Sequence, residues 1–342
     1  MAHSRPAPVR APAPPSGLHP PPPGPPTAPA RTTVANPVAP GTNTSGQRKY
    51  AYIGGYDFAT MSDILTNHLP ASLKADHRWD SRSLPHLEIL MGLIDADTEI
   101  TDLRWVAYML ATTYWETNHT EPVQVPKKDK KGAVMTDKLG NVITRTIRAN
   151  TTMKPITELG GGAGRKYHRP VKYLALADGS AQITEYDGDQ FTVDTNGKWK
   201  AVGNLQNKKL KAAVGTAADA PATKAYTDAG GDERLFIGRG YVQLTWWQNY
   251  ASAGVILGKG MPFFLADPEQ ALEATYAYKL MSVCMRTGVG FANGHKFSDY
   301  FSGNDRKYTQ ARAMVNGTDH ADDIKKIAEA FEDILWDSRK VK

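Results

Sequence analysis

Fourteen of the chain's 23 prolines fall within its first 48 residues, in runs such as "HPPPPGPP". Proline has no backbone N–H and a fixed φ, so such a stretch sustains neither a helix nor a sheet ladder. It also buries little apolar surface. Residues 1–48 are therefore expected to form a disordered, partly polyproline arm, either a passive linker or a docking arm. Any folded domain must come from residues 49–342.

The arm also carries the charge. The chain has 41 Lys and Arg against 35 Asp and Glu, a formal net charge of +6. Arg5, Arg10, Arg31, Arg48 and Lys49 precede the first acid, which leaves 36 basic against 35 acidic residues for the remainder. A nearly neutral body argues against nucleic acid as a partner. Hydrophobic content of 41% fits an ordinary globular chain. No apolar run reaches the ~18 residues a spanning helix needs. The N-terminus lacks the apolar core of a secretory signal. The lone Cys284 sits in the apolar pattern "YKLMSVCMRTG". It reads as a buried, inert thiol and precludes an intramolecular disulfide framework.

From Tyr50 onward helical periodicity dominates. In "TEITDLRWVAYMLATTYWE", Leu103, Val106, Ala107, Leu110 and Tyr114 recur at helical spacing, with Thr101 or Asp102 as N-cap. Glu116 lies near the end of this apolar helix, where the helix dipole disfavours an anion. Residues 123–232 have a different texture. "AQITEYDGDQFTVDTNGKWKAVG" alternates between Asp-Gly and Asn-Gly turns, which predicts short hairpins. Helical patterns return in "QALEATYAYKLMSVCM" and "DDIKKIAEAFEDILWDSR".

The nine histidines show no metal-ligand spacing, and "GVILGKG" lacks the Ser or Thr of a phosphate loop. No metal and no cofactor is expected. The stretch "FIGRGYVQLTWWQNYASAG" is more informative. Gly238 and Gly240 bracket Arg239. Gln243, Thr245 and Asn249 then supply amide and hydroxyl groups, interleaved with Trp246, Trp247 and Tyr250. Such groups without clustered charge suit a neutral, hydroxyl-rich ligand such as a sugar. A core hairpin with incidental polar residues accounts for the same stretch.

"GRGYVQLTWWQNY" resembles the signature of glycoside hydrolase family 19, the chitinases and related phage and bacterial cell-wall lytic enzymes. "AYMLATTYWET" resembles the family's helix ending in His-Glu-Thr, with Trp115 where the histidine usually stands. "PITELGGGAGRKY" resembles a stretch of the endolysin branch that supplies a second acid. "GVGFANGHKFSDYF" and "MVNGTDHADDIKKIAEAF" resemble its C-terminal helices. The likeness covers roughly 50–126, 151–174 and 234–337.

The resemblance implies a mainly α (α+β) fold: a lysozyme-like, two-lobed helical domain over 49–342. Small β-hairpin insertions would fall at about 127–150 and 175–232. It implies Glu116 as general acid, with Gln243, Thr245, Asn249, Tyr250 and Trp246 on the substrate side, Thr245 helping to hold a water, and Asn316 binding substrate. Glu158 is the expected second carboxylate and Glu121 its rival. A single-acid mechanism without a base is the third possibility. Family chitinases place an arginine soon after the asparagine, whereas Asp322, Asp323 and Lys325 stand here. That departure favours the endolysin branch.

The expected activity is hydrolysis of β-1,4 bonds between amino sugars of peptidoglycan, by an endolysin or virion-associated lysin. Chitin is the alternative substrate. A non-catalytic glycan-binding or structural virion protein is the alternative class. The expected partner is the polysaccharide alone, bound by a monomer without membrane insertion. The protein would be made in the host cytoplasm and reach the wall through a holin or from the virion.

Overall fold

The computed structural model describes residues 50–52, 54–75, 78–162, 165–169, 171–185, 188–203, 224–225 and 235–339. The proline-rich arm and much of the second insertion lie outside the described residues.

Helices α1 (Phe58–Asn67), α2 (Ala71–Ala75) and α3 (Leu84–Asp95) lead into α4 (Leu103–Glu116). A hairpin follows, β1 (His119–Pro126) and β2 (Thr144–Thr151), antiparallel with His119 opposite Thr151. A two-residue ribbon joins β3 (Ile156–Thr157) to β9 (Arg239–Gly240). Between them come β4 (Val171–Ala175), β5 (Ala181–Glu185), β6 (Gln190–Val193), β7 (Trp199–Gly203) and β8 (Lys224–Ala225). These five form one antiparallel sheet in the order β7-β6-β5-β4-β8. The chain closes with α5 (Trp247–Ile256), α6 (Pro262–Ala266), α7 (Ala274–Thr287), α8 (Phe297–Tyr300), α9 (Tyr308–Ala311) and α10 (Ala321–Asp337).

The mainly α expectation is therefore corrected. The structure is 45% helix and 19% strand, a mixed α/β architecture with ten helices and three small antiparallel sheets among the described residues. The reason is that the strands are structural rather than ornamental. Val171, Tyr173, Ala181, Ile183 and Val193 of the five-stranded sheet share one core with Phe236, Trp247, Tyr250 and Phe264. Alternating apolar positions gave the sheet one buried face, and that face became a wall of the domain.

A larger core surrounds α4, which is buried on nearly every side. An all-round apolar helix belongs in an interior. Asp102 is its N-cap, accepting from the Arg104 N–H. Its C-terminal carbonyls are met by threonines: Thr117 Oγ1 donates to Thr113 O (2.7 Å) and Thr152 Oγ1 to Tyr114 O (2.8 Å). The Met153 N–H in turn donates to Thr117 Oγ1 (2.9 Å). These bonds satisfy carbonyls that a helix end otherwise leaves orphaned, and they fix where the chain turns after Glu116. Cys284 is buried in α7, and desolvation pushes its thiol up to about 12, as an inert core cysteine requires. Among the described residues no helix is long and apolar enough to cross a membrane.

Candidate active site

Glu116 and Glu158 line one cleft of about 360 Å³, together with Arg165, Tyr167, Gln243, Thr245, Trp246 and Asn316. Glu116 is delivered by the fixed end of α4. Its carboxylate, 16% exposed, has Arg312 Nη1 2.7 Å from Oε1. The contact is an ion pair without the alignment of a good hydrogen bond. Arg312 is itself 1% exposed, and its Nε donates to Asp319 O (3.0 Å). A guanidinium thus meets the anion at the helix end that opposes it.

Glu158 is positioned by the β3–β9 ribbon. The Glu158 N–H donates to Gly238 O (2.7 Å), and the Gly238 N–H returns a bond to Glu158 Oε2 (3.0 Å). The Tyr167 hydroxyl lies 2.5 Å and 2.7 Å from the two carboxylate oxygens. Burial, and then the neighbouring Glu158, raise the Tyr167 pKa, so the phenol remains a donor. Its ring meets Trp246 edge to face at 5.2 Å.

The loop carrying the polar residues is tightly folded. Arg239 and Leu244 exchange backbone hydrogen bonds (3.1 and 2.8 Å), closing a turn that leaves Gln243 at φ 53°. Trp246 follows at φ 71°. Two side-chain-bearing residues in this sparsely populated region, both on the cleft, are strain held by their surroundings. Gln243 Nε2 donates to Ile156 O (3.1 Å) and Gly240 O (3.2 Å), locking its amide at the wall.

Glycine is required at 238. A Cβ there would lie 2.7 Å from Gln243 Oε1 and 3.2 Å from Glu158 Cβ. Gly238→Ala should therefore fold with a loss of about 1–2 kcal/mol from overpacking. A thermal melt of the variant beside the native protein checks this.

Two expected lining residues lie elsewhere. Tyr250 is fully buried, its hydroxyl donating to Ile237 O (2.6 Å) and accepting from Arg239 Nη1 (3.1 Å). Its helical spacing from Trp247 turns it into the core. Asn249 Nδ2 donates to Thr245 O (2.8 Å), and the residue lines a neighbouring hollow. Glu121, the rival second acid, does not line the cleft. Desolvation disfavours its charge, but bonds from His119 and Lys154 outweigh this and hold its pKa below the usual range.

Trp115 faces away from the cleft as well. Its ring is covered by the Arg78 guanidinium at 3.5 Å and by the His320 ring at 4.6 Å. An indole in place of a smaller ring fills this seam between α4 and the start of α10. Sequence reasoning missed Arg312, Tyr167 and Arg165. The Arg-Lys-Tyr triplet after the glycines was the signal for the latter two. For Arg312 there was none.

Among the described residues no group of three or more His, Cys, Asp or Glu is arranged to hold a metal ion. Comparison with protein-family models, with curated proteins and with solved structures returned no match.

Proposed function

We propose that this chain is a glycosidase that cleaves β-1,4 bonds between amino sugars, with peptidoglycan as substrate and Glu116 and Glu158 as its two carboxylates. The observation that carries this reading is their meeting in one cleft. They lie on separate elements, α4 and the β3–β9 ribbon, and share walls of amide, hydroxyl and indole groups. Inverting hydrolysis needs an acid beside the leaving oxygen and a base beside the attacking water. Glu116 supplies the acid. Glu158, held by a hydroxyl and a backbone N–H, supplies the base. Gln243, Thr245 and Asn316 orient the sugar, and Trp246 offers an aromatic face. The biological setting that suits this activity is bacterial cell-wall lysis, by an endolysin or a virion-associated lysin acting as a monomer. Likeness to glycoside hydrolase family 19 in "GRGYVQLTWWQNY" supports the same reading.

Digestion of purified peptidoglycan, followed by mass spectrometry of the fragments, tests it. Reducing-end sugars are expected. Cleaved peptides, or intact walls after prolonged incubation, would overturn it. Chitin tried in parallel decides between the two substrates that share this chemistry.

A further inference from the structure

A second hollow, of about 620 Å³, lies beside the cleft and contains no carboxylate among its lining residues. One wall comes from the β6–β7 turn, which supplies Asn196, Lys198 and Trp199. The other comes from α5 and the turn after α7, which supply Gln248, Asn249 and Asn293. The turn is seated firmly. Asp194 Oδ1 accepts from the N–H groups of Asn196 and Lys198 (both 2.9 Å). Gly197 packs so closely on α5 that a Cβ would stand 3.1 Å from Ser252 Cα.

We propose that this groove binds an N-acetylated amino-sugar chain, separately from the cleft. The chemistry of its walls argues for that ligand. Trp199 lines the groove and is 50% exposed, its ring propped edge to face against Phe191 at 5.7 Å. Flat aromatic faces pack against the C–H faces of sugar rings, while amides both donate to and accept from hydroxyl and acetamido groups. Gln248 lines the groove, and its Oε1 has no hydrogen-bond partner among the described residues. Among the described lining residues Lys198 contributes the only formal charge, a cation suited to the carboxylates that decorate peptidoglycan strands.

The two hollows are linked through α5. Thr245 and Trp246 face the cleft, and Gln248 and Asn249 face the groove. A polymer held in the groove is therefore retained close to the cutting site. The choice of an amino-sugar ligand rests on the glycosidase reading, but the groove's binding requires no catalysis.

Calorimetric titration with an N-acetylglucosamine trimer, in the Glu116→Gln background so that the ligand is not consumed, tests the proposal. Two binding events per chain are expected. Adding Trp199→Ala or Gln248→Ala should remove one of them, or weaken it at least roughly 10-fold. Gln248→Ala deletes an amide whose oxygen has no partner, so it should not unfold the protein. It keeps the test valid if Trp199→Ala loosens the hairpin. Unchanged stoichiometry and affinity in Gln248→Ala would overturn the proposal, as would equal binding of a glucose trimer that lacks acetamido groups. If the cleft takes no sugar, the background shows one event and the groove variants abolish it. Failure of the glycosidase reading is thus distinguishable from failure of this one.

Discussion

Glu116→Gln should leave the protein folded and lower its turnover of purified peptidoglycan at least ~100-fold, the scale on which general acid catalysis contributes. The substitution is nearly isosteric. The amide oxygen can still face Arg312 Nη1, which lies 2.7 Å from the native Oε1, and Arg312 keeps its bond to Asp319 O. What disappears is a carboxyl group able to exchange a proton at the cleft, and with it the counter-charge of a buried guanidinium. The second loss should cost about 1–3 kcal/mol, because it leaves a buried guanidinium without its counter-charge. A melting curve that stays cooperative, shifted down by several degrees, would show that the activity loss comes from chemistry rather than unfolding. Turnover at the wild-type rate would remove Glu116 from the mechanism.

The two carboxylates were not equally legible in the sequence. Glu116 sits at the end of a helix whose 3.6-residue periodicity is plain, with Thr101 or Asp102 as the expected cap and Asp102 the one used, so its location follows from local rules. Its principal partner did not. Arg312 reaches Glu116 only because α10 and the segment before it pack along α4, a tertiary fact with no local signature. Glu158 was found through its motif, but what holds it was invisible. A ribbon of two residues per strand is too short for period-2 alternation to register. The strands of the insertion are legible as strands, but their part in the domain core is not. Alternation in "AQITEYDGDQFTV" marks one apolar face; it does not say what covers that face. Here the cover includes Phe236 and Trp247 of the glycine-arginine-glycine region, and this merger made the fold mixed rather than mainly helical. Tyr250 illustrates the converse error. An aromatic among polar residues resembles a sugar platform, yet helical spacing turned it inward, where its hydroxyl found Ile237 O.

Glu158→Gln should separate hydrolysis from single-acid chemistry. The variant can keep every local bond. The Gly238 N–H can only donate, and it now donates at 3.0 Å to the amide oxygen that takes the place of Oε2. The Tyr167 hydroxyl, which donates to the carboxylate in the native protein, can reverse and accept from the new amide N–H. Fold and sugar binding should therefore survive, and the melting temperature should change by only a few degrees. The base is lost, since an amide cannot take a proton from water at neutral pH. If water attack depends on Glu158, release of reducing ends should fall at least ~100-fold. If instead the sugar's own hydroxyl displaces the leaving group, no second carboxylate is needed, because Glu116, having given its proton to the leaving oxygen, takes the one that hydroxyl loses. Glu158→Gln would then cut at near the native rate and release anhydro-terminated fragments. Mass spectrometry of the wild-type and Glu158→Gln digests, run side by side, reads rate and product together. Reducing ends from the wild type and almost nothing from the variant would assign Glu158 as the base.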